Sequence, residues 1–504
     1  MTTLQDTKPA PIYDAEKSSL ADTTAVAVDD ISPEDDARLR RKIDWHLLPL
    51  FCVIYCLQYV DKVAMSYAVI MGFREANHLS LSEYSWLGSI FYIGYVVGEY
   101  PMCFLMQKLP LSKLSAVNIV LWGGVLCLMA AVPGFQGLMV VRFFLGFFES
   151  AITPGLALFT GQWYRLREQG TRTGLWYSML GFGYILGGAS SYGLAKANLR
   201  GELSIPGWKV VYVMFGLTTS VVGILMWFLI PDSIDTAWFL TPEDRELAKR
   251  RTRENQQPTN SNWSWPQFRE AMADPLTWLY CIVCLLCSIP NGITTNFFTI
   301  IIKDFGFDSL QTLLLGMVGS WVVVNYTFWL WFGDRVGNRC LSAVPPCCVS
   351  IVGFCIMYAT PEHKRMVRLA GYYICVPWFV TVPIVLSLIT SNVAGKTKKT
   401  TVNALFFISY CIGNLVGPQA YQTRDAPRFM PMYITCILSV GLSIVTMVAI
   451  YVVYRLENNR RDRADTDGGP TRQFNPEDDL TDRWVLPLDA ADNRRLNPTF
   501  RYTY

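Results

Sequence analysis

Charge is scarce in this sequence. Asp, Glu, Lys and Arg make up 16% of residues, against about 25% in a typical soluble domain. With 43 basic residues against 40 acidic ones, the net charge is +3. That balance gives no reason to expect a nucleic-acid partner. Histidine is scarcer still: His46, His78 and His363 are the only three in 504 residues. An enzyme that relies on a histidine base or a histidine-bound metal has little to work with here, and no serine-hydrolase or metalloprotease motif is present. The chain is expected not to be an enzyme, with no cofactor and no metal. The first 37 or so residues are polar and acidic without a short apolar core beside a cleavage site, so no secretory signal peptide is expected.

Cysteine is plentiful at 14, but nearly all of it falls inside apolar runs. Cys281, Cys284 and Cys287 share a helix face and superficially resemble a metal cluster. With no histidine nearby they read as buried free thiols.

Apolar sequence is abundant. Hydrophobic residues make up 52% of the chain and aromatics 14%. A bilayer core about 30 Å thick takes roughly 20 apolar residues per helix, and only helices or closed barrels satisfy their backbone in lipid. Runs of that length fall at approximately 43–66, 84–106, 113–133, 135–161, 171–197, 208–231, 274–300, 310–331, 341–360, 367–391, 398–422 and 430–454. The fold class is therefore all-α: a polytopic membrane protein of about twelve transmembrane helices in two six-helix halves. Residues 1–42 are expected to form a disordered cytoplasmic tail and 43–231 the N-terminal half. A cytoplasmic linker follows at 232–273, then the C-terminal half at 274–454 and a cytoplasmic tail at 455–504. Loops on the side of the tails hold about 24 Lys and Arg against about 10 opposite, so both termini are expected in the cytoplasm. Arg38, Arg40, Arg41 and Lys42, then Arg165, Arg167 and Arg172, then Lys396, Lys398 and Lys399 carry most of this bias.

The linker has its own local logic. Thr241, Pro242, Glu243 and Asp244 read as an N-cap, a proline in the first turn and acids that suit the helix dipole. The short helix ends in Lys249, Arg250, Arg251 and Arg253, a basic face that could rest on anionic lipid or simply be solvated.

Two six-helix halves joined by such a linker are the layout of a transporter built from repeats, with its site where the halves meet. The loop after the eighth run reads Asp334-Arg335-Val336-Gly337-Asn338-Arg339. It resembles the loop motif of the major facilitator superfamily, in which an acid and two bases latch neighbouring helices; Asp334, Arg335, Gly337 and Arg339 would form this gate. The equivalent first-half loop, Gln107-Lys108-Leu109-Pro110-Leu111-Ser112-Lys113, lacks the acid and the glycine. Further stretches resemble the allantoate permease family of fungal anion:cation symporters. They are Tyr59-Val60-Asp61-Lys62 with Ser66-Tyr67-Ala68, Tyr84-Ser85-Trp86 with Phe91-Tyr92-Ile93-Gly94-Tyr95, and Arg142-Phe143-Phe144-Leu145-Gly146-Phe147-Phe148-Glu149. The most specific is Gly413-Asn414-Leu415-Val416-Gly417-Pro418-Gln419 followed by Asp425-Ala426-Pro427. The resemblance implies proton-coupled import of a small organic anion, such as a ureidocarboxylate, a carboxylate-bearing vitamin or a small peptide, across the plasma membrane. The partners would be that anion, protons and the lipid bilayer, with the protein acting as a monomer.

A charge inside a membrane span costs at least about 2.5 kcal/mol, so such residues face the bundle interior and usually have a function. Arg142 and Glu149 lie seven apart, which puts them on one stripe of a helix about 10 Å apart along its axis. Arg142 would hold a substrate carboxylate through its planar fork, and Glu149, in the same dry cavity, would carry the proton; the family resemblance implies the same roles. Two structural ion pairs remain the alternative. Asp61 and Lys62 are neighbours about 100° apart around the axis, so one faces the cavity and the other a neighbouring helix. Lys62 is favoured as a second anion contact and Asp61 as the group that sets its charge. Glu99 lies beside Gly94 and Gly98, in a stretch that permits close helix approach, and is either a further proton site or part of a gate. In the second half the candidates are neutral: Asn291 and Asn296 around Gly292, with Pro290 expected to loosen the helix there, together with Tyr410 and Asn414. Tyr92 and Trp378 would add an aromatic wall. The fifth run, Gly181 to Ala189, lacks the glycine-proline motif of drug antiporters, which favours a symporter. Export of a secondary metabolite, or a transporter-like nutrient sensor, are the alternatives.

Overall fold

A computed structural model describes residues 32–252, 263–336, 338–422, 425, 428–466, 484–485, 495–496 and 502. The expected disorder of residues 1–31 lies outside the described residues. The chain is a bundle of long helices whose order matches the twelve apolar runs. The first half comprises Pro33–Ile70, Leu81–Lys108, Leu111–Ala131, Phe135–Glu149 with Ile152–Trp163, Leu166–Tyr177 with Met179–Leu199, and Gly207–Leu229. The second comprises Pro275–Asp304, Ser309–Gly316 with Trp321–Val336, Val344–Ala359, Arg365–Ile374 with Thr381–Asn392, Lys396–Val416, and Met430–Thr466. These are called the first to twelfth helices below. Their chain ends share one face, the tail side; the opposite face is the far side.

Among the described residues, eleven helices are long and apolar enough to cross a membrane. The fifth falls short because glycine, serine and tyrosine dilute it. Those small residues are needed for packing: a Cβ on Gly183 would press on Tyr59, and one on Gly188 would strike Met317 of the eighth helix. Close approach also joins the second and fourth helices. A side chain on Gly94 would run into the carbonyl oxygen of Phe143, and one on Gly146 into that of Phe91. The expected helix contact at Gly94 and Gly98 is present, and its partner is the fourth helix.

Three expectations are corrected. The first helix begins at Pro33, not near residue 43. Ser32 caps it by accepting from the Asp35 amide at 3.1 Å, and acids fill its first turn. Its 38 residues span about 57 Å, far more than a bilayer core, so its opening turns stand clear on the tail side. Second, the twelfth helix runs on to Thr466, and the tail returns to it. Tyr502 is buried, exchanges two 3.0 Å hydrogen bonds with the Asn458 amide and stacks on Tyr454. Third, two bases of the linker helix Pro242–Thr252 are held by acids of the chain, while Arg250 is exposed. Arg251 is buried between Asp36 and Glu168 at 2.7 and 2.8 Å, and Lys249 pairs with Asp235. A buried guanidinium needs such partners. Thr241 does cap this helix, accepting from the Asp244 amide, and Asp244 in turn binds Lys42 at 2.8 Å. Trp265–Ala273 ties to the second half instead, with Lys398 between Glu270 and Asp274.

The hydrogen bonds that join the halves gather on the far side. Ser66 and Thr299 meet at 2.9 Å, Tyr84 donates to the carbonyl of Asn296 at 2.7 Å, and Ser89 donates to that of Leu415 at 2.7 Å. Gln419 closes on Ser89 at 3.0 Å. The space between the halves is therefore sealed from the far side.

Candidate functional site

Between the halves lies a cavity of about 70 Å³. The first helix supplies Tyr55, Gln58, Tyr59 and Lys62, whose spacing of three and four residues puts them on one helix face. Tyr92 comes from the second helix, Tyr177, Leu180 and Tyr184 from the fifth, and Asn291, Thr294 and Thr295 from the seventh. Gly319 and Tyr326 belong to the eighth helix, Tyr372 to Phe379 to the tenth, and Tyr410 to the eleventh. Lys62 is the single charged side chain among the described residues lining it.

Helices lining the cavity or packed beside it are locally irregular. The fourth breaks at Ser150 and Ala151, where Pro154 leaves the Ser150 carbonyl without its helical donor. The tenth tightens into a 3₁₀ turn at Val376–Val380 around Pro377, and the eighth does so at Met317–Ser320. The seventh, expected to loosen at Pro290, stays continuous from Pro275 to Asp304. The eleventh packs closely on it: side chains on Gly292 or Gly417 would collide with the facing backbone at Asn414 or Ile289.

Glu149 sits at the break in the fourth helix and is fully buried. Its Oε1 lies 3.4 Å from Lys62 Nζ and accepts a hydrogen bond from Gln58 Nε2 at 2.6 Å. Its Oε2 is buried with no hydrogen-bond partner among the described residues. Lys62 also lies over the ring of Tyr95, 5.8 Å from its centre. The lysine therefore reaches the cavity from the front while the carboxylate neutralises it from behind.

Asp61 points the other way, as the 100° offset requires. It is buried, its Oδ2 accepts from Trp122 Nε1 at 2.7 Å, and Arg142 is the cation acting on it most strongly. Tyr212 lies against Arg142. This corrects the sequence expectation on two counts. Arg142 does not line the cavity, and the partner that sets the charge of Lys62 is Glu149, not Asp61. Arg142 and Glu149 do share a stripe of the fourth helix, but neither lines the cavity; Lys62 and Gln58, which do, connect it to Glu149.

The other candidates divide between the cavity and its surroundings. Tyr92, Asn291, Trp378 and Tyr410 line the cavity. Trp378 is fixed by donating Nε1 to the Cys287 carbonyl at 3.0 Å, and the rings of Tyr92 and Tyr410 meet edge to face at 6.2 Å. Asn414 lies behind Asn291 and accepts its amide at 2.8 Å. Asn296 belongs to the far-side seal, with its amide donated to Gly292 and its side chain against Gly88. Glu99 is half-buried one turn along from Tyr95, outside the lining. Of the gate loop, Arg335 lies over the Trp331 ring and Arg339 donates to Ser387 of the tenth helix at 2.9 Å. Gly337 and the Asp334 side chain lie outside the described residues. The first-half loop is tied down differently, through Ser112 to the Ile230 carbonyl and Lys113 to that of Trp227. Sequence reading missed Gln58 and six of the cavity tyrosines. The repeat Tyr55, Gln58, Tyr59, Lys62 was the signal that could have found the first of them.

Helices that span a bilayer in two halves of six, with a polar cavity between, define a membrane transporter. The chain belongs to the Major Facilitator Superfamily, whose family model matches residues 51–418. It is 33% identical over 495 residues to the allantoate permease of Saccharomyces cerevisiae, covering 94% of this chain and 88% of the permease. It is 39% identical to an uncharacterized transporter of Schizosaccharomyces pombe over 462 residues, 91% of this chain and 90% of the relative. These relatives place it in the group of fungal transporters that includes allantoate permease. Among solved structures, a bacterial homolog of the human lysosomal transporter Spinster, in an inward-facing conformation, superposes with a TM-score of 0.63 at 14% identity, covering 84% of this chain and 97% of that one. A D-xylose–proton symporter gives 0.61 at 12% identity, covering 79% of this chain and 97% of the symporter. Both likenesses concern the fold.

Proposed function

We propose that this transporter imports a small organic monoanion together with a proton, from the outside of the plasma membrane into a cytoplasm that holds both termini. The carrying observation is the arrangement Lys62–Glu149–Gln58. A substrate carboxylate needs the ammonium of Lys62, which Glu149 occupies. Protonating Glu149 releases Lys62 toward the cavity, where the incoming anion replaces the lost countercharge. A buried charge is tolerated only when paired, so proton and anion are bound together or not at all. The other groups that bear on Glu149 are Asp61 across the first helix and the phenols of Tyr92, Tyr95 and Tyr410. None of these supplies a second cation. On this reading the far-side contacts would have to part for substrate to enter from outside.

The test is uptake of labelled small carboxylates, allantoate among them, by yeast cells expressing the chain, at external pH 5 and 7.5. Accumulation of one of them that is faster at pH 5 is the expected result. Equal uptake at both pH values overturns the coupling. Efflux without uptake makes the protein an exporter.

A further inference from the structure

The tail that returns to the twelfth helix enters a socket on the tail side of the second half. Tyr454 and Asn458 lie four residues apart, on one face of that helix. The Asn458 side chain accepts from the Tyr502 amide and donates to its carbonyl, both at 3.0 Å. Tyr454 offers a ring face 4.9 Å from that of Tyr502 and within 11° of parallel. One residue thus holds the main chain of the tail and the other its aromatic side chain, and the Tyr502 side chain is buried between them.

Behind the Tyr502 ring the socket reaches two helices that line the cavity. The Tyr454 hydroxyl meets that of Tyr280 on the seventh helix and accepts from Asn392 Nδ2, on the tenth, at 3.1 Å. The seventh and tenth helices supply cavity residues, whereas none of the described residues of the twelfth does. Asn392 ends the tenth helix. Between it and the cavity lies an arm, Thr381–Asn392, joined to the cavity-lining residues by the 3₁₀ turn at Val376–Val380. Such a turn is a weak point, because its hydrogen bonds are poorly aligned and Pro377 removes a donor. The gate loop grips the same arm from another side, through Arg339 to Ser387 at 2.9 Å.

We propose that the tail is a clamp on the tenth helix. With Tyr502 docked, Tyr454 and Asn392 stay together and the arm keeps the position seen here, in which the far side is sealed. With Tyr502 out, the arm is free to turn about Val376–Val380, and the tail-side end of the cavity wall moves with it. The contact is built to be reversible. The twelfth helix has 37 residues and is about 55 Å long, so its last turns pass beyond a bilayer core on the tail side. There water can take over the hydrogen bonds that Asn458 gives up, and an emptied socket leaves few polar groups unmet. The clamp acts whatever the cavity carries.

The experiment is hydrogen–deuterium exchange of the purified full chain in lipid nanodiscs, read peptide by peptide by mass spectrometry. The parent is compared with Tyr502→Ala, which loses the ring contact, Asn458→Ala, which loses both hydrogen bonds to the tail, and Tyr502→Phe, which keeps ring and main chain. Exchange across Thr381–Asn392 should rise about tenfold in the two Ala variants, the weight of one ring contact or of two net hydrogen bonds. In Tyr502→Phe it should stay at the parent level, and peptides from the ninth helix, Val344–Ala359, should not change in any variant. Parent-like exchange of the arm in Tyr502→Ala and Asn458→Ala overturns the clamp. A rise that is as large in the ninth helix as in the arm also overturns it, because the tail would then stabilise the second half as a whole and not the arm.

Discussion

Replacing Glu149 by glutamine preserves the shape of the side chain and an acceptor for Gln58, and deletes the charge that faces Lys62. At 3.4 Å and an effective dielectric of about 20, that attraction is roughly 5 kcal/mol, enough to hold Lys62 against an incoming carboxylate. If each anion enters with one proton, its Kd in the parent protein rises tenfold per pH unit wherever Glu149 is ionised, because binding must first protonate it. The variant has no such step. Its Kd should be flat with pH and, at pH 7.5, tighter than that of the parent. Transport should change in a matching way. One proton with one monoanion moves no net charge, so parent uptake is insensitive to membrane potential and accumulates up to the pH gradient, about tenfold per unit. Glu149→Gln should exchange substrate for substrate but no longer accumulate it. The assay is binding of the labelled substrate to purified protein from pH 5 to 8, paired with counterflow in proteoliposomes. A variant whose affinity keeps the tenfold slope, or which still concentrates substrate in response to an acid exterior, refutes the reasoning and removes Glu149 from the coupling.

Arg142→Ala should act on folding more than on substrate affinity: buried Asp61 keeps its hydrogen bond from Trp122 but loses the field of the buried cation that acts on it most strongly. A large drop in melting temperature and in surface protein is expected, and normal levels of a stable protein that fails only in uptake would return Arg142 to the substrate site. The double change Ser66→Cys with Thr299→Cys places two thiols where hydroxyl oxygens now meet at 2.9 Å. Oxidation should lock the far side and stop transport until reductant is added; uninterrupted transport by the crosslinked protein would mean this contact does not open in the cycle. On the tail side, burial opposes ionisation of Asp244, but Lys42, Thr241 and Arg38 outweigh it and hold the carboxyl below its ordinary range. Its stabilising effect is thus full above about pH 4 and lost as the pH falls through the lowered value. Asp244→Asn should melt lower than the parent near neutral pH and flatten the acid limb of its stability profile, and identical profiles would show that the linker helix docks without this pair.

The run lengths, the split into halves, the cap at Thr241 and the small-residue contact on the second helix were all legible in the chain, because each depends on spacing along one helix. So was the division of Asp61 from Lys62, which follows from adjacent positions 100° apart. Arg142 was misplaced for the same kind of reason. Its distance from Glu149 along the fourth helix is correct, but a one-dimensional pattern does not say which helix stands in front of it. Pro290 misled because one chain segment does not show what packs on it: the seventh helix runs on through Pro290 with the eleventh against Gly292, while Pro154 and Pro377, not singled out, stand at irregular turns near the cavity. Burial of Arg251 was not legible in the linker because its partners Asp36 and Glu168 are far away in sequence.

By itself, the sequence determined a helical membrane protein, its two halves and the family it joins, because the bilayer imposes length and hydropathy on each helix separately. Which charges meet was decided by tertiary structure alone. Lys62 reaches the cavity, Glu149 meets it from the fourth helix, and Arg142 stays outside the lining. Pairing of buried charges is a property of packed neighbours, and the first and fourth helices, which bring Lys62 and Glu149 together, meet only in the folded bundle.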